Sequence, residues 1–213
     1  QMCIRDSCYF CPKYRLTVLR LLSCLLFLWM VQPPLLGQSP LELTRITIEH
    51  GLPQGYVVSL CQDRDGFMWV CTNDGLCRYD GYEFLVFRHD PYDPFSISHN
   101  GIQQVVEVGE FLCVHTSAGI DLLDRQTRRF YHLNIGKVGS VASDRQQRLY
   151  FFSGGTWVQR LVLTAEVIAR LQNTGPEQPS LPLENLVAET ALLDMKLSED
   201  GQTLWLLKSG GRE

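Results

Sequence analysis

The chain has 213 residues, of which 45% are hydrophobic and 20% charged, a balance that suits one medium or two small globular domains. Its formal net charge of −4 offers no broad attraction to phosphate backbones, so no nucleic-acid partner is expected for this segment. No long low-complexity or single-sign charge run occurs.

Residues 1–12 (QMCIRDSCYFCP) fit no signal n-region and read as a non-native leader. Cys8 and Cys11 form a C-x-x-C there, but no second ligand pair follows at zinc-site spacing. From residue 13 the text changes. Basic Lys13, Arg15 and Arg20 precede the apolar run Leu21 to Val31, and Pro33, Pro34 and Gly37 follow. A basic start, a short apolar core and a small residue near its end describe a secretory signal peptide, here residues 13–37 with cleavage after Gly37. The run is shorter than the ~20 residues a typical membrane span needs. An uncleaved anchor and a lipoprotein signal ending at Cys24 are the other readings.

Beyond about Leu43 the chain is strand-like: short β-branched and aromatic runs separated by Gly, Asp and Asn. Tyr56 to Gln62 is mostly apolar, as expected of a strand buried on both faces. Asp65-Gly66 is a turn, Phe67 to Thr72 a strand, Thr72 to Gly75 a hairpin turn, and Leu76 to Tyr79 a third strand. After the Asp80-Gly81 turn, Tyr82 to Arg88 alternates like a half-exposed outer strand. A second unit runs from Ile102 to Leu133. Its T-x-x-G at Thr116 to Gly119 repeats Thr72 to Gly75 at an offset of 44, and Asp124 repeats Asp80 at the same offset. A third unit starts near Val138, with turns at Asp144 to Gln147 and Gly154-Gly155. It includes an expected helix, Thr164 to Gln172, and a proline-rich loop, Asn173 to Pro182, inserted between its outer strands. A fourth unit starts at Leu192, with a turn at Asp200-Gly201 and a strand Leu204 to Lys208.

Four-stranded units of about 40–45 residues are the signature of β-propeller blades. The expected fold is therefore all-β, an incomplete propeller of about three blades plus the start of a fourth, with a short helical insertion. Its blades lie at 55–90, 100–134, 138–190 and 192–213. A β-sandwich is the structural alternative, but it does not predict the recurring turn–strand–turn text. Trp69 and Trp205 are expected to fill space between blades.

Chemistry was sought among the titratable residues. His50, His89, His99, His115 and His132 are scattered with no ligand spacing. Asp63 and Asp65 in DRDG have neither the third ligand nor the distal Glu of a calcium loop, so they read as a turn. Beyond Gly37 four cysteines remain: Cys61, Cys71, Cys77 and Cys113. Cys71 and Cys77 flank the hairpin and could pair if Gly75 forms a bulge. The preferred reading makes all four small strand hydrophobes. Catalytic, cofactor-binding and metal residues are each expected to be none, and the ligand-contacting residues are unknown.

Gly51-Leu52-Pro53-Gln54, then DGFMWVCTNDGLCRYDG from Asp65 to Gly81, then the H-D-P-x-D-P-x-S-I-S run from His89 to Ser98, resemble the two-component regulator propeller family. The resemblance is close over 47–100 and loose beyond. Units two and three carry Cys113 and Tyr150 near the position of the family tryptophan. The resemblance implies a periplasmic sensor region of a hybrid histidine kinase, an N-terminal fragment of a longer protein. It also implies a small-molecule or oligosaccharide ligand, glycan-derived. As partners it implies the remaining blades and membrane-kinase part of the same protein, with a homodimer when full length. The fragment itself is expected to be no enzyme and to need no cofactor. Other readings are an exported propeller enzyme acting on glycans and an envelope scaffold.

Overall fold

The computed structural model describes residues 20, 23–24, 45–144, 146–153, 157–173, 181–188, 192–198 and 200–209. Residues 1–44 and 45–213 are separate units, and the architecture below belongs to the second. In the first unit, Ser23 donates to the Arg20 carbonyl. The rest of the expected signal peptide, the leader and the Gly154-Gly155 turn lie outside the described residues. Among the described residues no helix is long and apolar enough to cross a membrane.

The strands form in chain order. The first sheet holds β1 (Val57–Gln62), β2 (Met68–Thr72), β3 (Gly75–Tyr79) and β4 (Phe84–Phe87). The second holds β5 (Ile102–Val108), β6 (Phe111–Thr116), β7 (Ile120–Asp124) and β8 (Phe130–Leu133). β9 (Val138–Ser143), β10 (Arg148–Ser153), β11 (Trp157–Val162) and β12 (Glu184–Ala188) make the third, and β13 (Leu192–Leu197) and β14 (Leu204–Lys208) a two-stranded fourth. Every pairing is antiparallel between sequence neighbours. The first strands β1, β5, β9 and β13 lie side by side without sharing a ladder. That is the arrangement of propeller blades around an axis, here an incomplete propeller.

The turns explain why the units recur. Thr72 Oγ1 donates to the Gly75 carbonyl at 2.8 Å and accepts from Asp74 N–H at 3.1 Å. Thr116 does the same work, donating to the Gly119 carbonyl and accepting from Ala118 N–H, each at 3.2 Å. Asp80 accepts from the N–H groups of Tyr82 and Glu83, and Asp124 from those of Gln126 and Thr127. A short side chain that satisfies the backbone of its own turn needs nothing from the rest of the fold, so the same residues recur in the first two units. Gly75 has a second constraint: at φ 124 its Cβ would stand 2.7 Å from the Phe87 carbonyl oxygen.

Packing between sheets supplies the core. Trp69, Cys71 and Leu76 of the first sheet meet Ile97, Ile102, Val105, Leu112, Val114, Leu123 and Phe130 of the second unit. Phe87 stacks on Trp69 and meets Phe130 edge-on. The opposite face of the second sheet (Phe111, Cys113, Ile120, Leu122) packs on Val141, Leu149, Phe151 and Leu161 of the third. Every residue of β6 and β7 is buried. At roughly 1.5–3 kcal/mol per fully buried large aliphatic, this interface outweighs any single turn.

The helix α1 (Ala165–Asn173) lies between β11 and β12, where the insertion was expected, and ends one residue later than expected. Val167 and Leu171 are buried against the core shared by sheets two and three. Thr164 Oγ1 accepts from Val167 N–H at 3.3 Å.

Two expectations are corrected. β1 is not buried on both faces. Val58 and Cys61 pack on the second unit, while Leu60 is 60% exposed because no described element covers that face. Trp205 does not fill a space between blades: it is 65% exposed, on the side of the β13–β14 hairpin away from the third sheet, whereas Met195 and Leu206 face that sheet. The preferred reading of Cys71 and Cys77 as buried strand hydrophobes agrees with the structure: they are free thiols on opposite faces of the first sheet. The register pairs Cys71 with Leu76 and Val70 with Cys77, so no bulge at Gly75 brings the sulfurs together.

Candidate functional site

The residues that looked chemical in sequence are committed to scaffold. Asp63 Oδ1 accepts from Asp65 and Phe67 N–H, and its Oδ2 accepts from the Trp69 indole at 2.8 Å. Among the described residues no three His, Cys, Asp or Glu side chains gather as metal ligands. Burial pushes the Cys71 thiol up to about 11 and the Cys77 thiol up to about 12, which leaves both protonated and unreactive.

Each histidine has a local partner. His50 and His99 accept from nearby backbone N–H groups, those of Thr47 and Gly101, through Nδ1. His89 and His115 donate to the Ile97 and Val138 carbonyls. His132 Nδ1 lies 2.8 Å from Asp121 Oδ1, whose other oxygen accepts from Ser98 N–H. Burial lowers the His115 pKa, and the Asp121 hydrogen bond raises that of His132.

A cleft lies between the second and third sheets, at the end that carries the β5–β6 and β9–β10 turns. This cleft measures about 570 Å3. Its floor is apolar, formed by Phe111, Val162, Leu163 and the helix residue Ile168, and its rim holds Arg64, Glu110, Gln146, Gln147 and Arg148. Gly109 lets the two turns approach, because a Cβ there would stand 2.5 Å from the Gln146 carbonyl oxygen.

The charges at the rim are paired. Arg64 Nη2 meets Glu110 at 2.6 Å and holds its carboxyl below the usual range. Asp144 accepts from Gln146, Gln147 and Arg148 N–H and meets Arg148 Nε at 2.5 Å. Burial pulls the Asp144 carboxyl upward, but Arg148 and these N–H groups together keep it below the ordinary value. A carboxylate clamped this way is a poor general base. The cleft thus sets a polar, charge-paired rim above an apolar floor.

Behind the rim a denser ionic network joins the first two sheets. Glu107, only 7% exposed, accepts from Arg125 at 2.9 Å and lies 3.4 Å from Arg64, while Arg125 reaches Asp65 at 3.0 Å. The third sheet joins through Ser143, whose hydroxyl donates to the Glu107 carbonyl. None of these partnerships was readable in sequence. Asp144 to Gln147 showed only as a turn and Ile168 only as an apolar helix position.

The family described as two component regulator propeller matches residues 51–74. The match covers the approach to β1, then β1, the Asp63 turn, β2 and the start of the hairpin. A 48-residue stretch is 46% identical to Histidine kinase P4 of Formosa agariphila, covering 22% of this chain and 4% of that protein. Among solved structures, the extracellular domain of a one component system from B. thetaiotaomicron aligns at a TM-score of 0.57 and 21% identity, over 77% of this chain and 24% of its own. The extracellular domain of a hybrid two component system from the same organism aligns at a TM-score of 0.51 and 18% identity, over 73% of this chain and 19% of its own. Both likenesses concern the fold. The chain thus spans a small part of each protein it matches.

Proposed function

We propose that this chain is the ligand-sensing propeller region of a hybrid histidine kinase, exported to the periplasm by residues 13–37, and not itself an enzyme. Its blades are placed at 55–90, 100–134, 138–190 and 192–213. The carrying observation is the propeller repeat at 51–74, on a sheet whose Asp, Thr and Trp side chains all serve turns and inter-sheet packing. The cleft supports the ligand class. Its amide-bearing Gln146 and Gln147 above an apolar floor suit a polyhydroxylated, glycan-derived oligosaccharide, whose sugar faces are apolar and whose edges hydrogen-bond. The parent protein is a membrane-anchored dimer in which ligand binding biases the kinase.

Two measurements test this. Reading the gene past Glu213 should meet a membrane span and then a kinase core; a stop codon after a closed ring with clustered carboxylates overturns the sensor reading in favour of a glycan-acting enzyme. Titration calorimetry with a panel of neutral oligosaccharides should show saturable binding that Gln147→Ala weakens. An unchanged affinity in that variant removes the cleft as the site.

A further inference from the structure

A second, smaller cavity lies between the first two sheets and has a different chemistry. It measures about 70 Å3 and is lined by Asp63, Asp65, Phe67, Trp69, Arg78, Phe87, Leu123, Arg125 and Arg128. Three of these are arginines. Arg125 is compensated by Asp65 and Glu107. Asp63 has both oxygens committed to Asp65 and Phe67 N–H and the Trp69 indole. Arg78 and Arg128 are left without an ion pair among the described residues.

The position of Arg78 makes this notable. Its register partner across β2 is Trp69, so it stands on the face of the first sheet that packs against the second. At the same point of the repeat the second sheet has Leu122, fully buried. The guanidinium of Arg78 lies 4.4 Å from the Phe67 ring centroid. Its Nε is buried and has no hydrogen-bond partner among the described residues. Asp80 is influenced by the Arg78 charge through space, but its Oδ1 accepts from Tyr82 and Glu83 N–H instead. A buried guanidinium N–H left unsatisfied is costly, more so than a neutral donor. The cavity also exceeds the ~30 Å3 share of one water, so it has room for a small oxyanion.

We infer that the crevice between the first two sheets binds a small oxyanion, a carboxylate or phosphate group, held by Arg78 from within and by Arg128 at the rim. Planar guanidinium groups match two oxygens of such an anion at once, and the aromatic walls of Phe67, Trp69 and Phe87 exclude the water that would weaken the pairing. This site shares no lining residue with the 570 Å3 cleft.

The test is thermal unfolding of the full chain in sodium acetate, phosphate or chloride at one fixed ionic strength. The melting temperature should rise saturably with acetate or phosphate over chloride, and comparing the two shows whether a planar or a tetrahedral oxyanion fits better. In Arg78→Gln the midpoint concentration should rise by about tenfold or more, the loss expected for one charge-assisted bidentate contact. Because Arg78 is partly buried, Arg128→Gln, at an exposed position, gives the same readout without risk to folding. An equal shift in all three salts, or an unchanged midpoint in Arg128→Gln, overturns the assignment.

Discussion

Asp63 joins sequence to packing through one carboxylate. It closes the turn before β2 and fixes the Trp69 indole, which is 2% exposed at the interface of the first two sheets. Asp63→Ala leaves the buried indole N–H unsatisfied, and urea unfolding should show a loss of about 2–3 kcal/mol. In a Trp69→Phe background the same substitution should cost clearly less, because the orphaned donor is gone. Two histidines set opposite pH dependences. The Asp121 hydrogen bond raises the His132 pKa in the folded state. Its stabilisation is therefore complete below the free value of ~6.5 and disappears as pH rises through the folded pKa. Burial lowers the His115 pKa, so its contribution is present above ~6.5 and is lost as pH falls. His132→Gln should accordingly destabilise more at pH 5.5 than at pH 8.5, and equal losses at the two pH values would contradict the ion pair. Sequence showed these histidines to be scattered but not that Asp121 would stand opposite His132, because that pairing depends on the register of β7 with β8.

At the scale of the element, turns were legible and burial was not. Thr72 and Thr116, and Asp80 and Asp124, declare themselves because each satisfies backbone groups two or three residues away. Burial depends on what the neighbouring sheet supplies, which strand text alone does not contain. Thus β1 reads as doubly buried yet leaves Leu60 exposed, and Trp205 reads like Trp69 yet lies open. Cys71 and Cys77 likewise needed the register to place them on opposite faces. The two hairpin glycines separate backbone strain from contact. Gly75 (φ 124) and Gly81 (φ 101) both occupy the left-handed half of the map, but only Gly75 has an atom, the Phe87 carbonyl oxygen, within clash distance of a Cβ. Gly81→Ala should cost about 1–2 kcal/mol from conformation alone. Gly75→Ala should cost more, since it also splays β3 from β4 near Phe87. Equal losses in chemical denaturation would mean that the contact relaxes freely.

For residues 45–213 taken together, stability is shared unevenly, because each sheet depends on its neighbours for cover. The second sheet is flanked on both faces and every residue of β6 and β7 is buried, whereas all five residues of β12 are exposed. The first sheet shows Tyr56 and Leu60, and the fourth shows Leu193, Trp205 and Leu207, at 59–65% exposure. Apolar faces of this kind favour association, so residues 45–213 expressed alone should sediment as oligomers, and Trp205→Lys with Leu207→Lys should shift them toward monomer. A monomer with one sharp unfolding transition at all concentrations would contradict this. Native-state hydrogen exchange then tests the gradient directly. The amides of β6 and β7 can open only if the interfaces on both sides are lost, so they should exchange last and report the global unfolding free energy. Those of β13 and β14 pack, among the described residues, on one sheet through Met195 and Leu206, and should exchange first. The second sheet, clamped by Glu107, Arg125 and Ser143, is then the fixed frame and the fourth sheet the soft element. Uniform protection across all four sheets would instead make the molecule one cooperative block with no such soft element.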